Sequence, residues 1–470
     1  MPKPPDDTPK PGRIILPGDV SATPRAPLVT ASGAAASSDD APAPSRIVLP
    51  PGTAIETDEE LPEFPRLRML NVVPVRDGER ELLVISDPLG VIPQPVALSL
   101  EALPLLQMLD GRTSLTDLSA ALVRGSKDIR AGSWVKEFIS QLDKMLVLEG
   151  PRFEAEYEAI RTAYHQLEVR QAALWGVTYP EEPAEVATLL DSHVAAAEEL
   201  RREAQQPIAA ADATPRLLMA PHLDPRRSGP TLARSYLELG NQPKEPLRVV
   251  VFGVGHMLWG DLFAFTRKGF ETPFGKVACD TVFVDRVAEV LGPDAYHGEI
   301  AHRDEHSIEF QALYLKHRLG DRPFSMVPVL AGGFLSLLEL GKRPRDIPML
   351  ESLITAVREA ERSLGGTTVY LAGIDLSHVG TRFGDPAPDE RTLRETEASD
   401  RAALDAAVRG DADGWFDAIA AIEDRTRICG WAATYLALRC AEPGPGRLLR
   451  YEQSNEEGGS MVSIGSAVWP

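Results

Sequence analysis

Three rhythms of apolar and polar positions divide the chain. From Met1 to about residue 62 no apolar period is sustained, and Pro, Ala, Ser, Thr, Asp and Glu dominate. Such a stretch buries too little surface to offset its ordering entropy, so residues 1–62 are expected to be a disordered tail. Two short pieces interrupt it, Arg13-Ile14-Ile15-Leu16-Pro17 and Arg46-Ile47-Val48-Leu49-Pro50. This near-repeat reads either as accidental apolar spots in a linker or as a tethered docking motif. From Leu67 the pattern tightens. Met69–Pro74 and Glu81–Ser86 read as strands around the turn Arg76-Asp77-Gly78. Leu100, Leu103, Leu105, Leu106 and Leu109 form a helical stripe that Asp110-Gly111 stops. A second helix starts near Ser114 or Thr116, either of which suits a cap, and a third carries Trp134, Phe138, Ile139, Leu142 and Leu146. Together they predict a small winged-helix domain over 65–152. Charged helical sequence follows, with 153–169 as a linker and breaks at Gly176 and at Tyr179–Pro183. After Pro215 short apolar runs alternate with helical patterns to the C-terminus, which predicts an α/β domain around a largely parallel sheet.

Charge narrows the function classes. Against 49 Lys+Arg stand 69 Asp+Glu, a formal net charge of −20. A field of that sign repels phosphate backbones and anionic lipid surfaces. Between Leu61 and Gly150 there are 10 basic and 12 acidic residues, so the small domain offers DNA no basic face. Cys279, Cys429 and Cys440 are too few for a disulfide framework, and no CxxC zinc pattern is present. The N-terminus has no apolar signal region, and no run approaches the ~18 apolar residues of a spanning helix. The expectation is a reduced, cytoplasmic, soluble protein with neither nucleic acid nor membrane as partner.

Candidate chemistry gathers in the second half. Of nine histidines, seven lie between His222 and His378. Leu217–Pro221 runs into His222, Arg248–Gly255 into His256, and Thr368–Ile374 into Asp375-Leu376-Ser377-His378. Each is a buried-strand signal with an imidazole at its carboxyl end, where open α/β sheets bind ligands. If the strands are neighbours, three imidazoles converge and hold a metal rigidly. Gly253-Val254-Gly255 is not a dinucleotide fingerprint, because position 258 is Leu. Cys429, before the helical run Ala432–Leu438 and near Arg425 and Arg427, reads as a thiolate fit for metal or redox work, or as a small buried hydrophobe. Asp304–Glu309 opens a helix with Asp304 as its cap. His302, Glu305 and His306 are thereby either structural or part of a site.

Two resemblances add to these readings. "LLQMLDGRTSLTDLSAALV" followed by "WVKEFISQLDKMLVLEG" resembles the PqqD-like domains of peptide-modifying systems, which implies peptide binding by strand addition; the same pattern also reads as a helical dimerisation or packing module. Further on come "YP" at Tyr179, "APH" at His222, "FGVGHM" at His256, "TPFG" from Thr272 and "DEHSIEFQ" from Asp304. "VPVLAG", "DLSHVGTRFG", "RICG" at Cys429 and "YEQSNE" from Tyr451 complete the order. This set resembles the Memo family, protein B of AmmeMemoRadiSam systems, over 170–470. The resemblance implies an α/β/α core shared with class III extradiol dioxygenases, and one iron or copper ion on His222, His256 and Cys429. It puts Asp375 and His378 at catalytic positions and Arg382 in the substrate pocket beside Glu305 and His306. Donor pairs sharing an ion stand roughly 3–4 Å apart. Two departures stand out: Leu223-Asp224-Pro225-Arg226-Arg227 replaces a usual Ala-Gly-Tyr stretch, and Leu174 stands where a histidine is common.

The leading functional expectation is a metal-dependent redox enzyme of peptide or small-molecule modification, with His378 as acid/base and Asp375 orienting it. The alternative is a partner-binding component that grips a peptide through the N-terminal domain beside a radical SAM enzyme and the companion AmmeMemoRadiSam protein. A metal-free hydrolase has less support, since neither Gly-x-Ser-x-Gly nor a P-loop occurs.

Overall fold

The computed structural model describes residues 61–78, 80–126, 130–243 and 246–470. The expected tail and its near-repeat therefore lie outside the described residues, apart from Leu61 and Pro62. Two compact units divide the chain between Ala163 and Tyr164.

In the smaller unit β1 (Asn71–Asp77) and β2 (Arg80–Ser86) form the expected hairpin, and β3 (Val96–Ser99) adds to β2. The leucine stripe yields a 3-10 turn and a short helix, α1 (Leu103–Leu106). Then come α2 (Leu115–Ser126), α3 (Ala131–Lys144) and α4 (Pro151–His165), which carries the chain across the division. Ser114 is the cap of α2, its Oγ accepting from Asp117 N at 3.1 Å. Val72, Ile85, Leu118, Val135, Ile139 and Leu142 fill the core between strands and helices. Strand β3 is four residues long and follows a Pro-rich stretch, too short a signal to separate from loop.

The larger unit opens with β4 (Val169–Arg170), α5 (Pro183–Glu203), β5 (Leu217–Ala220), α6 (Pro225–Tyr236) and β6 (Leu247–Val254). It continues through β7 (Phe263–Phe265), β8 (Gly269–Phe270), β9 (Ala278–Cys279), α7 (Thr281–Leu291), α8 (His306–Leu319) and β10 (Phe324–Ala331). Next are α9 (Leu335–Glu339), α10 (Pro348–Leu364), β11 (Thr367–Gly373), β12 (His378–Gly380) and α11 (Glu390–Val408). Finally α12 (Ala412–Ala420), α13 (Trp431–Ala441), β13 (Arg447–Glu456) and β14 (Ser460–Trp469) close the chain.

A nine-stranded sheet organises this unit in the order β12-β14-β5-β11-β6-β10-β7, with β13 on β14 and β9 on β10. The central β5, β11, β6 and β10 are parallel. Outside them β14 runs antiparallel to β5 and β7 antiparallel to β10, so the sheet is mixed and not largely parallel. The hairpin of β13 and β14 adds a further antiparallel pair, since a hairpin needs no crossover helix. Side chains of the parallel strands alternate between two cores. Met219, Val250 and Phe252 face α7, α10, α12 and α13, whereas Leu218, Val249 and Val251 face α5, α6 and α8. Helices thus cover both faces, which is why the strands read as continuous apolar runs. Gly253 lets α8 lie close to the sheet, since a Cβ there would stand 2.5 Å from Ile308 Cγ1. Neighbouring β5, β11 and β6 end on the same side, at Ala220, Gly373 and Val254. Among the described residues no helix is long and apolar enough to cross a membrane.

Candidate metal centre

Two residues past the end of β5, His222 donates from Nδ1 to the carbonyl of Gly373 at 2.9 Å. A carbonyl only accepts, so that hydrogen bond fixes the tautomer and leaves the Nε2 lone pair free. Asp375 secures the same turn, its Oδ1 accepting from His222 N at 2.9 Å and Leu223 N at 3.1 Å.

His256 stands two residues past β6. Its Nδ1 faces both oxygens of Glu305 at 3.0 Å, and its backbone N donates to Glu305 Oε2 at 3.0 Å. Glu305 is held well below the usual carboxylate range by His256, His306 and the N–H of Ser307, which together outweigh its burial. Being ionised it accepts only, so His256 Nδ1 carries the proton. His256 Nε2 is then a buried nitrogen with no hydrogen-bond partner among the described residues.

Cys429 arrives on the loop between α12 and α13. Glu423, Asp424 and Arg427 hold left-handed φ of 53°, 46° and 55°, a concentration of strain that surrounding contacts must sustain. Gly430 is required too, because a Cβ there would lie 2.2 Å from Ile374 Cβ. The loop sets Cys429 Sγ 3.4 Å from His222 Nε2.

His222, His256 and Cys429 thus offer donor atoms all within 4.8 Å of one another. The Cys429–His222 pair already stands within the roughly 3–4 Å of donors sharing an ion. The donor set fits a soft or borderline metal: two imidazole Nε2 atoms, one of them buried and unpartnered, and one sulfur. His306 forms a second cluster with His256 and Glu305 within 4.8 Å. There the carboxylate is already committed, with Ser307 N donating to it at 2.9 Å and His306 Nδ1 lying at 3.2 Å. The rings of His256 and His306 stack at 4.9 Å, and His222 meets each edge-on at 5.2 and 5.1 Å.

His378 opens β12, bracketed by the cysteine loop. Its N donates to Thr426 O at 2.6 Å, and its Nδ1 lies 2.9 Å from the carbonyls of Leu376 and Arg427. Burial pushes its pKa down to about 4, so the ring is neutral at pH 7. Arg382 pairs with Glu456 at the end of β13. His302 is not brought to the donor set; its Nε2 faces Ala264 O at 3.0 Å.

Two sequence expectations are corrected here. Glu305, not Asp304, caps α8: its side chain accepts from Ser307 N, and the helix starts at His306. The Cys429 thiol is not eased toward thiolate either. Burial pushes its pKa well up, helped by Asp375 and Glu305. The arginines that suggested the opposite are engaged elsewhere, Arg427 with Asp385 at 2.7 and 2.9 Å and Arg425 with the carbonyl of Ile422.

Supporting residues escaped the sequence reading. Arg170, fully buried, pairs with Glu309 and donates to the carbonyls of His302 at 3.0 Å and Glu305 at 2.8 Å, which fixes the segment that presents Glu305. Glu309 also accepts from Tyr179 OH at 2.7 Å. Ser307 bonds both backbone groups of Val254 at 3.0 Å, and Gln311 donates to Pro221 O at 3.0 Å. Alternate residues of "DEHSIEFQ" therefore tie α8 to two strand ends. The density of polar residues in one helical run was the signal.

Comparison with known proteins follows the same residues. A family described as Memo-like protein matches residues 170–468. A MEMO1 family protein of Aquifex aeolicus (strain VF5) is 26% identical over 395 residues, covering 83% of this chain and 96% of the relative. That span is too long to fit within Tyr164–Pro470, so the similarity reaches into the smaller unit. A MEMO1 family protein of Thermus thermophilus is 29% identical over 226 residues, 48% of this chain and 60% of the relative. One from Methanocaldococcus jannaschii is 32% identical over 171 residues, 34% of this chain and 56% of the relative.

Proposed function

The chain belongs to the Memo-like protein family, and from that premise we propose that it is a metal-dependent redox enzyme using one iron or copper ion in a dioxygenase-like site. The observation that carries this reading is the convergence of His222, His256 and Cys429 within 4.8 Å, with His256 Nε2 buried and unpartnered. His222 and His256 would hold the ion through Nε2, and Cys429 through Sγ. When bound, such an ion supplies Lewis acidity and one-electron chemistry at its open positions. The Gly373 carbonyl keeps His222 in its ligating tautomer while Asp375 holds its backbone, and Glu305 sets the tautomer of His256. His378, neutral and anchored through Nδ1, accepts a proton at Nε2 and returns it. Arg382, Glu305 and His306 line the substrate side.

A second reading is a partner-binding component of an AmmeMemoRadiSam system, in which a PqqD-like winged-helix unit grips a peptide for a radical SAM enzyme. What favours it is β1, an edge strand with Val73 and Val75 exposed. Pro74 weakens that edge by removing one backbone donor.

Metal analysis of the full chain purified with and without oxygen, beside Cys429→Ala, tests the first reading. One iron or copper per chain, lost in the variant, is the expected result. Equal metal content in both proteins would remove the metal-site claim.

A further inference from the structure

Beside His222 an apolar strip and two arginines that share one carboxylate lie next to each other. Asp224 caps α6, and the helix opens with Pro225-Arg226-Arg227. Leu223 packs with Phe383, Val462 and Ile464, and the Phe383 ring meets His378 edge-on at 5.2 Å. This apolar strip therefore adjoins both His222 and the acid/base candidate. Arg382 immediately precedes Phe383, and its Nη1 lies 3.0 Å from Glu456 Oε1. Arg227 pairs with the same oxygen while donating from Nε to Ser454 Oγ at 3.1 Å and from Nη2 to Ser454 O at 2.9 Å. Nearby, Arg226 is matched by Asp224 and Arg427 by Asp385. Two guanidinium groups thus share one carboxylate, which neutralises only one of them.

Arg382 is the more open of the pair, its side chain 31% exposed against 25% for Arg227 and 15% for Glu456. Its Nε and Nη2 have no partner among the described residues. They form one edge of the guanidinium, two parallel donors whose spacing matches the oxygens of a carboxylate. Glu456 holds that group from its Nη1 side, and Ser460 Oγ, accepting from Arg382 N at 2.9 Å, fixes the backbone that carries it.

We propose that the substrate is an organic carboxylate, bound by the free Nε–Nη2 edge of Arg382 with Arg227 reinforcing the charge and Leu223 and Phe383 covering the apolar part. The proposal rests on the metal centre being the reacting site. One excess charge suits a monoanion; a phosphate dianion would face Glu456 with its second charge unmatched.

Benzoate, benzamide and phenyl phosphate titrated into the full chain by calorimetry test this. Benzoate should bind about tenfold or more tighter than benzamide, the factor expected for charged hydrogen bonds. Arg382→Gln should abolish that preference, Arg382→Lys should retain part of it, and Glu456→Gln should shift preference toward phenyl phosphate. Circular dichroism establishes that each variant is folded. Equal affinity for benzoate and benzamide, no benzoate binding, an unchanged preference in Arg382→Gln, or a wild-type preference for phenyl phosphate would each overturn it. Metal content measured on the same samples separates the two ideas. Selectivity for benzoate without bound metal would sink the metal reading alone, and metal without selectivity would sink the carboxylate alone.

Discussion

A ligand histidine is only as good as the group that holds its other nitrogen, and the two histidines proposed as ligands here are held differently. His222 leans on a backbone carbonyl, which mutation cannot remove, whereas His256 leans on the Glu305 carboxylate. Glu305→Gln keeps the volume and removes the charge, so metal affinity is expected to fall roughly 10–100-fold, the usual cost of losing such a support. A competitive chelator titration measures it; an unchanged affinity would show that Glu305 does not set the ring. Cys429 makes a sharper case. Its thiol is pushed up by burial, so without an ion it stays protonated, and a metal must displace that proton. Cys429→Ala should consequently strip the metal, while His378→Ala should leave most of it. Elemental analysis giving the reverse order would place His378 among the ligands and Cys429 outside them.

At the scale of elements, the loop Asp375–His378 depends on a residue from α11. Asp400 is fully buried and accepts from Ser377 Oγ at 2.6 Å, Ser463 Oγ at 2.5 Å and Tyr451 OH at 2.9 Å. Burial raises its pKa to about 6 despite those donors. An unfolded aspartate titrates at about 3.9, so between about pH 4 and 6 the folded chain keeps a proton the unfolded chain has lost. Stability contributed here falls as pH rises through that window, by roughly 3 kcal/mol in all. Asp400→Asn has no charge to bury, so its stability relative to wild type should improve by up to that amount between pH 4 and 7. Urea titrations across the range measure it, and a gap independent of pH would refute the assignment. The sequence could not announce Asp400, because in Glu390–Val408 it reads as one more acid on a solvated helical face. Arg170 and Glu309 were illegible for a related reason, being partners 139 positions apart that pattern alone cannot join. The strand ends were legible, since an apolar run stopped by His222 or His256 is visible in a single line of sequence. The antiparallel margins were not, because β7 is only three residues long and β13 carries mostly polar side chains.

For the whole molecule, the useful fact is where the residues of the site do not lie. His222, His256, Cys429, Glu305, Asp375, His378 and Arg382 all belong to the larger unit, as do the buried residues that hold them. A fragment from Pro151 to Pro470 keeps α4 whole, and with it the hydrogen bond between His165 and Glu299 at 2.9 Å. It should therefore bind as much metal per chain as the full protein. The smaller unit poses a separate question, since the similarity to the Aquifex aeolicus relative extends into it. A helical unit of this size invites a DNA-binding reading, and its charge argues against one. DNA affinity grows with the number of phosphates neutralised, and 10 basic against 12 acidic residues between Leu61 and Gly150 leave no surplus to neutralise them. Several of those bases are also paired, Arg68 with Asp87 at 3.0 Å and Arg76 with Glu81 at 2.8 Å. The full chain, with its net charge of −20, should show no binding to a labelled duplex in gel shift or anisotropy at physiological salt, and only marginal binding at low salt. Salt-sensitive binding of a duplex that persists at physiological ionic strength would mean that a basic surface forms which neither the charge count nor the ion pairs reveal. It would also exclude the peptide reading of β1 without touching the proposed metal centre.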